Sequence, residues 1–154
     1  MGPEKHEIVE LEAMSVLGVL GPVSCGDDIG DLWEPAFTKR MKEIRAMAVI
    51  PNRYYGVSFD EGGHHYLAGM VVDPPSEIPD GLTLWEIPAG TYARFEGPFH
   101  EWWTEDGPGW VYDTWMPGSE YEPNRTTSMT DFVVHGVKDR VTFYVPVREK
   151  SRST

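Results

Sequence analysis

The sequence predicts an α+β domain in which one strand–helix–strand–strand unit is used twice. Three observations carry this reading. Leu84–Phe99 (LWEIPAGTYARFEGPF) alternates with period two, with Thr91, Ala93 and Phe95 on one side and Tyr92, Arg94 and Glu96 on the other, until Gly97-Pro98 stops it. Leu11–Val23 (LEAMSVLGVLGPV) repeats that layout 76 residues earlier. Leu11 falls on Ile87, Ala13 on Ala89, Ser15 on Thr91, Val19 on Phe95, and Gly21-Pro22 on Gly97-Pro98. The spacing persists downstream, at 77 from Tyr55 to Phe132 and 75 from Tyr66 to Val141.

The first unit spans about residues 6–73. Glu7–Leu20 reads as its first strand, and Ser24–Gly30, with Asp27 and Asp28, as a loop into a helix. Asp31-Leu32-Trp33-Glu34 has capping-box form, and Pro35 then sits in the first turn, where its missing N–H costs little. Trp33, Phe37, Met41 and Ile44 follow at helical spacing, with Lys39, Arg40, Lys42 and Arg45 mostly on the other face. Pro51 closes the helix. Arg53–Asp60 and His65–Asp73 read as strands joined by the hairpin signal Glu61-Gly62-Gly63. Pro74–Gly81 is a proline-rich surface connector, short enough to link halves of one domain.

The second unit, about residues 82–148, repeats the order. After the Leu84–Glu96 strand, Asp106 is a candidate cap for a helix at Pro108–Met116, which Pro117-Gly118 ends. Met129–Gly136 and Arg140–Val147 read as the last strands, joined by a turn at Val137–Asp139. Residues 149–154 form a polar tail.

Composition narrows the function. A chain of 154 residues suits one domain that buries roughly 70% of its unfolded surface. Its 13 basic and 25 acidic residues give a formal charge of −12. With no Lys/Arg-rich block to neutralise phosphates, direct nucleic-acid binding is not expected. The single cysteine, Cys25, excludes an internal disulfide and fits a reducing compartment. No apolar run reaches membrane-spanning length, and the start, MGPEKHEIVELE, is too charged for a secretory signal, so a cytoplasmic protein without membrane partners is expected.

Metal and nucleophile chemistry find little support. His64-His65 are adjacent on a strand and point to opposite faces, and His100-Glu101 opens like a zincin motif but has Thr104 where the second histidine belongs. Neither a phosphate-cradling glycine loop nor a G-x-S-x-G elbow occurs, and Ser58 has no local base. No metal and no cofactor are therefore expected. The aromatic content, six Trp, seven Tyr and six Phe, is concentrated in Trp102, Trp103, Trp110, Tyr112 and Trp115, more than one buried face needs. Such rings with acidic groups suit flat, hydrophobic, often cationic molecules through stacking and cation–π attraction.

Several strings resemble one family. Trp115-Met116-Pro117-Gly118-Ser119-Glu120-Tyr121-Glu122 is similar to its W-L-P-x-S-G-Y-E segment, and Ile87-Pro88-Ala89-Gly90-Thr91-Tyr92-Ala93 to I-P-A-G-x-Y-A. Tyr55-Gly56-Val57-Ser58 and Val145-Pro146-Val147 match Y-G-V-S and the terminal I-P-V. The chain thus resembles, over about residues 6–148, the GyrI-like small-molecule-binding domain, also called the AraC-type or bacterial transcription effector-binding domain.

The resemblance implies pseudo-twofold symmetry, with two helices flanking a central groove for hydrophobic, frequently cationic compounds. It also implies a stand-alone member, since the length leaves no room for a DNA-binding domain. Related stand-alone members inhibit gyrase or hydrolyse cyclopropane-bearing genotoxins, so a topoisomerase or transcription-factor partner, or a hydrolase, are the alternatives to a binder. One departure bears on both. Where the family carries D-F-E-x-Y, this chain has Asp131-Phe132-Val133-Val134-His135, so the groove glutamate is Val133 and the tyrosine His135. Asp131, Val133 and His135 share a strand face. The expected groove is lined by Trp33, Phe37, Tyr55, Trp85, Trp110, Trp115, Asp131, Val133 and His135, with Asp131 and His135 the acid–base candidates in an enzyme.

Overall fold

The computed structural model describes residues 3–22, 32–50, 52–60, 64–103, 107–124, 129–136 and 139–150. Expectations placed on Cys25, Asp27, Asp28, the Asp31 cap, the 61–63 turn, Asp106 and most of the tail lie outside these residues.

Each half begins with two strands where alternation predicted one. The first stretch divides into β1 (Lys5–Leu11) and β2 (Met14–Pro22), and the second into β5 (Thr83–Ile87) and β6 (Gly90–Pro98). The second break has a chemical cause. Pro88 cannot donate to a ladder, and Gly90 takes φ +154°, a conformation that residues with a Cβ avoid. The first break, at Glu12-Ala13, has no such marker. Between these pairs lie β3 (Tyr54–Asp60) and β4 (His64–Val72), and later β7 (Tyr121–Pro123), β8 (Met129–His135) and β9 (Arg140–Glu149). β9 therefore reaches Glu149, into the segment expected as tail.

The breaks let each stretch serve both halves. β1 pairs antiparallel with β6, from Lys5↔Glu96 to Leu11↔Gly90, while β2 pairs with β4 on one side and β5 on the other. The resulting nine-stranded sheet runs β1-β6-β9-β8-β3-β4-β2-β5, with β7 alongside β9. Exchanging β1 with β5, β2 with β6, β3 with β8 and β4 with β9 reads the same order from the other end. The centre of this palindrome is the β3–β8 seam, where Tyr54 faces His135, Gly56 faces Val133 and Ser58 faces Asp131.

The helical segments cover one face of the sheet. A π-helical turn at Leu32–Phe37 leads into α1 (Thr38–Met47). A second π turn, Phe99–Trp103, precedes α2 (residues 107–118), whose middle, Val111–Trp115, is again π-helical. The expected helix, Pro108–Met116, is thus extended at both ends and widened in the middle. α1 covers Leu17, Tyr66, Ala68 and Met70 of β2 and β4, and α2 covers Ala93, Phe95, Val141, Phe143 and Val145 of β6 and β9. Because β8 and β3 lie between those pairs, the helices flank the seam.

Alternate residues point to the back face, where Val16, Tyr55, Val57, Leu67, Ile87, Tyr92 and Phe132 form one cluster drawn from both halves. Short connections at 12–13 and 88–89 tie the two ends of the strand path together, so the sheet curls around this third core. Its members are almost wholly buried, which is the main stabilising term for such a domain.

Candidate ligand-binding site

The site is built where the first π turn meets the seam. A π turn closes on the residue five back rather than four. Here the Thr38 hydroxyl adds to it by donating to the Trp33 carbonyl at 3.0 Å. The wide turn sets Trp33 and Phe37 edge to face, with ring centres 5.1 Å apart. Tyr54 of β3 stands edge-on to Phe37 at 6.0 Å, and its ladder partner His135 stands edge-on to Trp33 at 5.9 Å. Together Trp33, Phe37, Thr38, Tyr54 and His135 line an open cleft of about 340 Å³, at the small end of the range for small-molecule sites.

Two further rings pack against these walls. Phe99, from the second π turn, lies edge-on to His135 at 5.7 Å, so rings from both halves pack against the imidazole. Tyr66 crosses from β4 over the seam. Its ring is accommodated by Gly56, where an added Cβ would lie 1.8 Å from the Tyr66 hydroxyl oxygen. That hydroxyl accepts a hydrogen bond from Trp33 Nε1 at 3.3 Å, which ties the π turn to the sheet.

Burial sets the protonation of these groups. It holds the His135 pKa below the ordinary histidine value, so the imidazole is neutral at pH 7. Burial pushes the Tyr66 hydroxyl up to about 12; the Trp33 hydrogen bond opposes this and the Asp131 charge adds to it. Asp131 accepts a hydrogen bond from the Tyr112 hydroxyl at 2.8 Å. It is the carboxylate on this strand face, at the end of the seam away from His135.

The residues expected to line a groove therefore separate into three places. Trp33, Phe37 and His135 line the cleft. Asp131 and Val133 continue along the same strand face, with Val133 buried under the α2 half. Trp110 and Trp115, half-buried on α2 itself, pack edge-on to Phe95 at 6.2 and 4.9 Å, against the core of that half. Tyr55 and Trp85 face the other way. Tyr55 stacks on Phe132 at 6.1 Å and Trp85 on Phe59 at 3.9 Å, both in the back-face core.

Thr38 and Tyr54 line the cleft and Tyr66 and Phe99 adjoin it, and none of the four is among the groove residues expected from the sequence. For Tyr54 and Tyr66 a signal existed: both share the parity of Gly56 and Ser58 in the β3–β4 register. Among the described residues, no group of three or more His, Cys, Asp or Glu side chains could hold a metal ion, and no helix is long and apolar enough to cross a membrane.

The comparisons agree with this architecture. The chain is 39% identical over 92 residues to the transcriptional regulator BrlR of Pseudomonas aeruginosa, a match covering 57% of this chain and 33% of the relative, so it spans about a third of that protein. The structure of SAV2435 bound to tetraphenylphosphonium superposes with a TM-score of 0.71 at 12% identity, covering 94% of each chain. An integron cassette protein of Vibrio cholerae superposes at 0.59 with 16% identity, covering 96% of this chain and 98% of that one. At these identities the likeness is one of fold. Residues 7–147 match the profile of the family described as Cass2, integron-associated effector binding protein, and the chain belongs to that family of GyrI-like effector-binding domains.

Proposed function

We propose that the protein binds a hydrophobic, aromatic, preferentially cationic small molecule in the cleft between Trp33, Phe37, Tyr54 and His135. The observation that carries this is the ring arrangement around the cleft. Four aromatic or imidazole walls meet at a partly open space, and the imidazole is kept neutral by burial. Such walls reward stacking and tolerate positive charge on the ligand. Asp131, farther along the strand face, adds the negative field that the family places at the Val133 position. The neighbouring structure holding tetraphenylphosphonium, a large delocalised cation, supports the same ligand class. The doubled element order supports reading the chain as an internal duplication that built a site at its own seam.

Binding without turnover is the reading the site favours. Asp131 and His135 are four residues apart on one strand, which spans roughly 13 Å, too far for both to act on one water. His135 is enclosed by Trp33 and Phe99, and Asp131 is engaged by Tyr112.

The test is a tetraphenylphosphonium titration followed by tryptophan emission. Saturable quenching in the micromolar range is expected, weakened about tenfold or more by Trp33→Ala and changed less than about twofold by Trp115→Ala. Failure to saturate by about 1 mM, or equal affinity in Trp33→Ala, would remove this reading.

A further inference from the structure

The back face of the sheet carries a second cleft, of about 360 Å³, with a different chemistry. It lies behind the seam at the β8–β9 hairpin and is lined by Arg53, Tyr55, Arg94, Arg140, Thr142 and Tyr144, with Ile50 and Val134 supplying apolar wall and Glu96 between two of the arginines. Three of the chain's eight arginines therefore meet in one concavity of a protein whose formal charge is −12. General solubility does not explain concentrating the minority charge in a cleft.

The three guanidiniums are not equivalent. Glu96 accepts hydrogen bonds from Arg94 and Arg140, each at 3.1 Å, which fixes their planes. Those bonds, aided by the two positive charges, outweigh partial burial and hold the Glu96 carboxyl below its usual range, so it remains ionised. Arg94 also donates from Nε to the Tyr144 hydroxyl at 3.1 Å and lies against that ring, its guanidinium carbon 6.0 Å from the ring centre. Glu4 and Glu7 reach Arg140 and Arg94 from the rim, where each is more than half exposed.

Arg53 differs from both. Among the described residues its guanidinium makes one long hydrogen bond, 3.4 Å, to the Asn52 carbonyl, and no ion pair. It lies over Gly136, 3.8 Å from the position a Cβ would take there. Burial and the neighbouring Tyr144 raise the Tyr55 hydroxyl pKa while Arg53 lowers it, placing the two phenols and this guanidinium within electrostatic reach of one another.

We propose that this cleft is a second binding site, for a molecule with a carboxylate or phosphate head on a flat apolar body. The head is taken by the Arg53 fork, with the Tyr55, Thr142 and Tyr144 hydroxyls as further donors. A planar fork presents two parallel donors to such an anion, and the surrounding low dielectric strengthens the pair. The body covers Val134 and Ile50, which is 46% exposed although large and apolar. The charges select against the cationic ligands proposed for the helix-face cleft, so the two sites take opposite classes.

Calorimetric titration of the full chain with 1-naphthoate and with 1-naphthyl phosphate tests this and separates the two head groups. Saturable binding of at least one probe below about 1 mM is expected, weakened about tenfold by Arg53→Gln. Lys39→Gln, the same change of net charge on the exposed face of α1, should leave it unchanged, as should Trp33→Ala in the other cleft. The tighter probe identifies the head group. The proposal is overturned if neither probe saturates, if Arg53→Gln binds as the parent does, or if Trp33→Ala abolishes binding and so moves the anion to the helix face.

Discussion

Gly56→Ala is the sharpest test of how the ligand cleft is built. Gly56 sits at the centre of the seam, opposite Val133 on β8 and Ala68 on β4. An added Cβ would lie 1.8 Å from the Tyr66 hydroxyl oxygen, 2.6 Å from its Cζ and 3.2 Å from Val133 Cγ1. Ordinary contact begins near 3.5 Å, so the Tyr66 hydroxyl must retreat by roughly 1.5 Å. The ring is stiff and 6% exposed, so it cannot simply rotate into solvent. A retreat of that size also breaks the 3.3 Å bond from Trp33 Nε1 unless the π turn moves too.

Overpacking of this kind costs about 1–3 kcal/mol, and the lost hydrogen bond adds roughly 1 kcal/mol. In a domain of this size a total of about 2–4 kcal/mol lowers Tm by roughly 5–15 °C. Circular dichroism melting measures this, and emission of Trp33 reports whether the π turn has shifted. Tyr66→Phe provides the cycle. Without the hydroxyl the worst contact is gone, so Gly56→Ala should cost about 1 kcal/mol less in that background. A melting point within about 2 °C of the parent, or strict additivity of the two substitutions, would refute the idea that Gly56 is there to accommodate Tyr66.

Two further predictions follow from the same geometry. Gly97→Ala would place a Cβ 2.7 Å from Cε3 of Trp102, a wholly buried ring, and should destabilise by about 1–3 kcal/mol in urea denaturation without weakening tetraphenylphosphonium, because that ring lies under α2 and outside the cleft. His135 gives a pH dependence whose sign is fixed by burial. Its folded-state pKa lies below the unfolded value of about 6.5, so below that pH the unfolded chain binds a proton the folded chain does not, and stability falls as pH drops toward the folded pKa. The urea midpoint should fall less between pH 7.5 and 5.5 in His135→Gln than in the parent; equal slopes would show that this imidazole is not held neutral by the fold.

How far the sequence carried this picture depended on what each signal measures. Period-two alternation gave the strands, and the Gly97-Pro98 stop marked the end of β6 correctly because that dipeptide is a local signal. Alternation also bridged the break after Ile87, since the pattern resumes at Gly90 and only Pro88 and the glycine betray the turn. Parity assigned Asp131, Val133 and His135 to one face, as observed. It says which residues share a face and never which face the helices cover, so the sequence alone does not separate Tyr55 and Trp85, which point to the back, from Trp33. The π turns were illegible, because a wide turn shifts the register of a helical stripe without leaving a mark in composition. For Tyr66 the signal is only partial: parity puts it on the face of Gly56 and Ser58, but its place beside Trp33 depends on Gly56, two ladder positions from its own partner, Ser58.

The palindromic frame also accounts for the cleft lying to one side of its centre. Equivalent ladder pairs flank the seam: Gly56 with Ala68 in the first half, Val133 with Phe143 in the second. The small pair leaves the volume that Tyr66 and Trp33 enter. The large pair fills it, and Trp103 and Tyr112 pack edgewise or tilted onto Phe143 at 5.1 and 6.4 Å. The concentration of tryptophan in the second half therefore belongs to a filled equivalent of the cleft, and the open space lies in the half with fewer rings. On the back face the imbalance reverses. At the positions related by 76 residues, Gly18 packs 2.1 Å, measured from a would-be Cβ, from the Ala68 carbonyl oxygen, whereas Arg94 lines an open cleft. Neighbouring residues of one seam thus serve opposite faces, Tyr54 and His135 toward the helices and Tyr55 and Val134 toward the arginines. A frame that is symmetric in backbone thus carries two unlike clefts, set by side-chain volume at equivalent positions, which is why the repeat alone could locate the seam but not the clefts beside it.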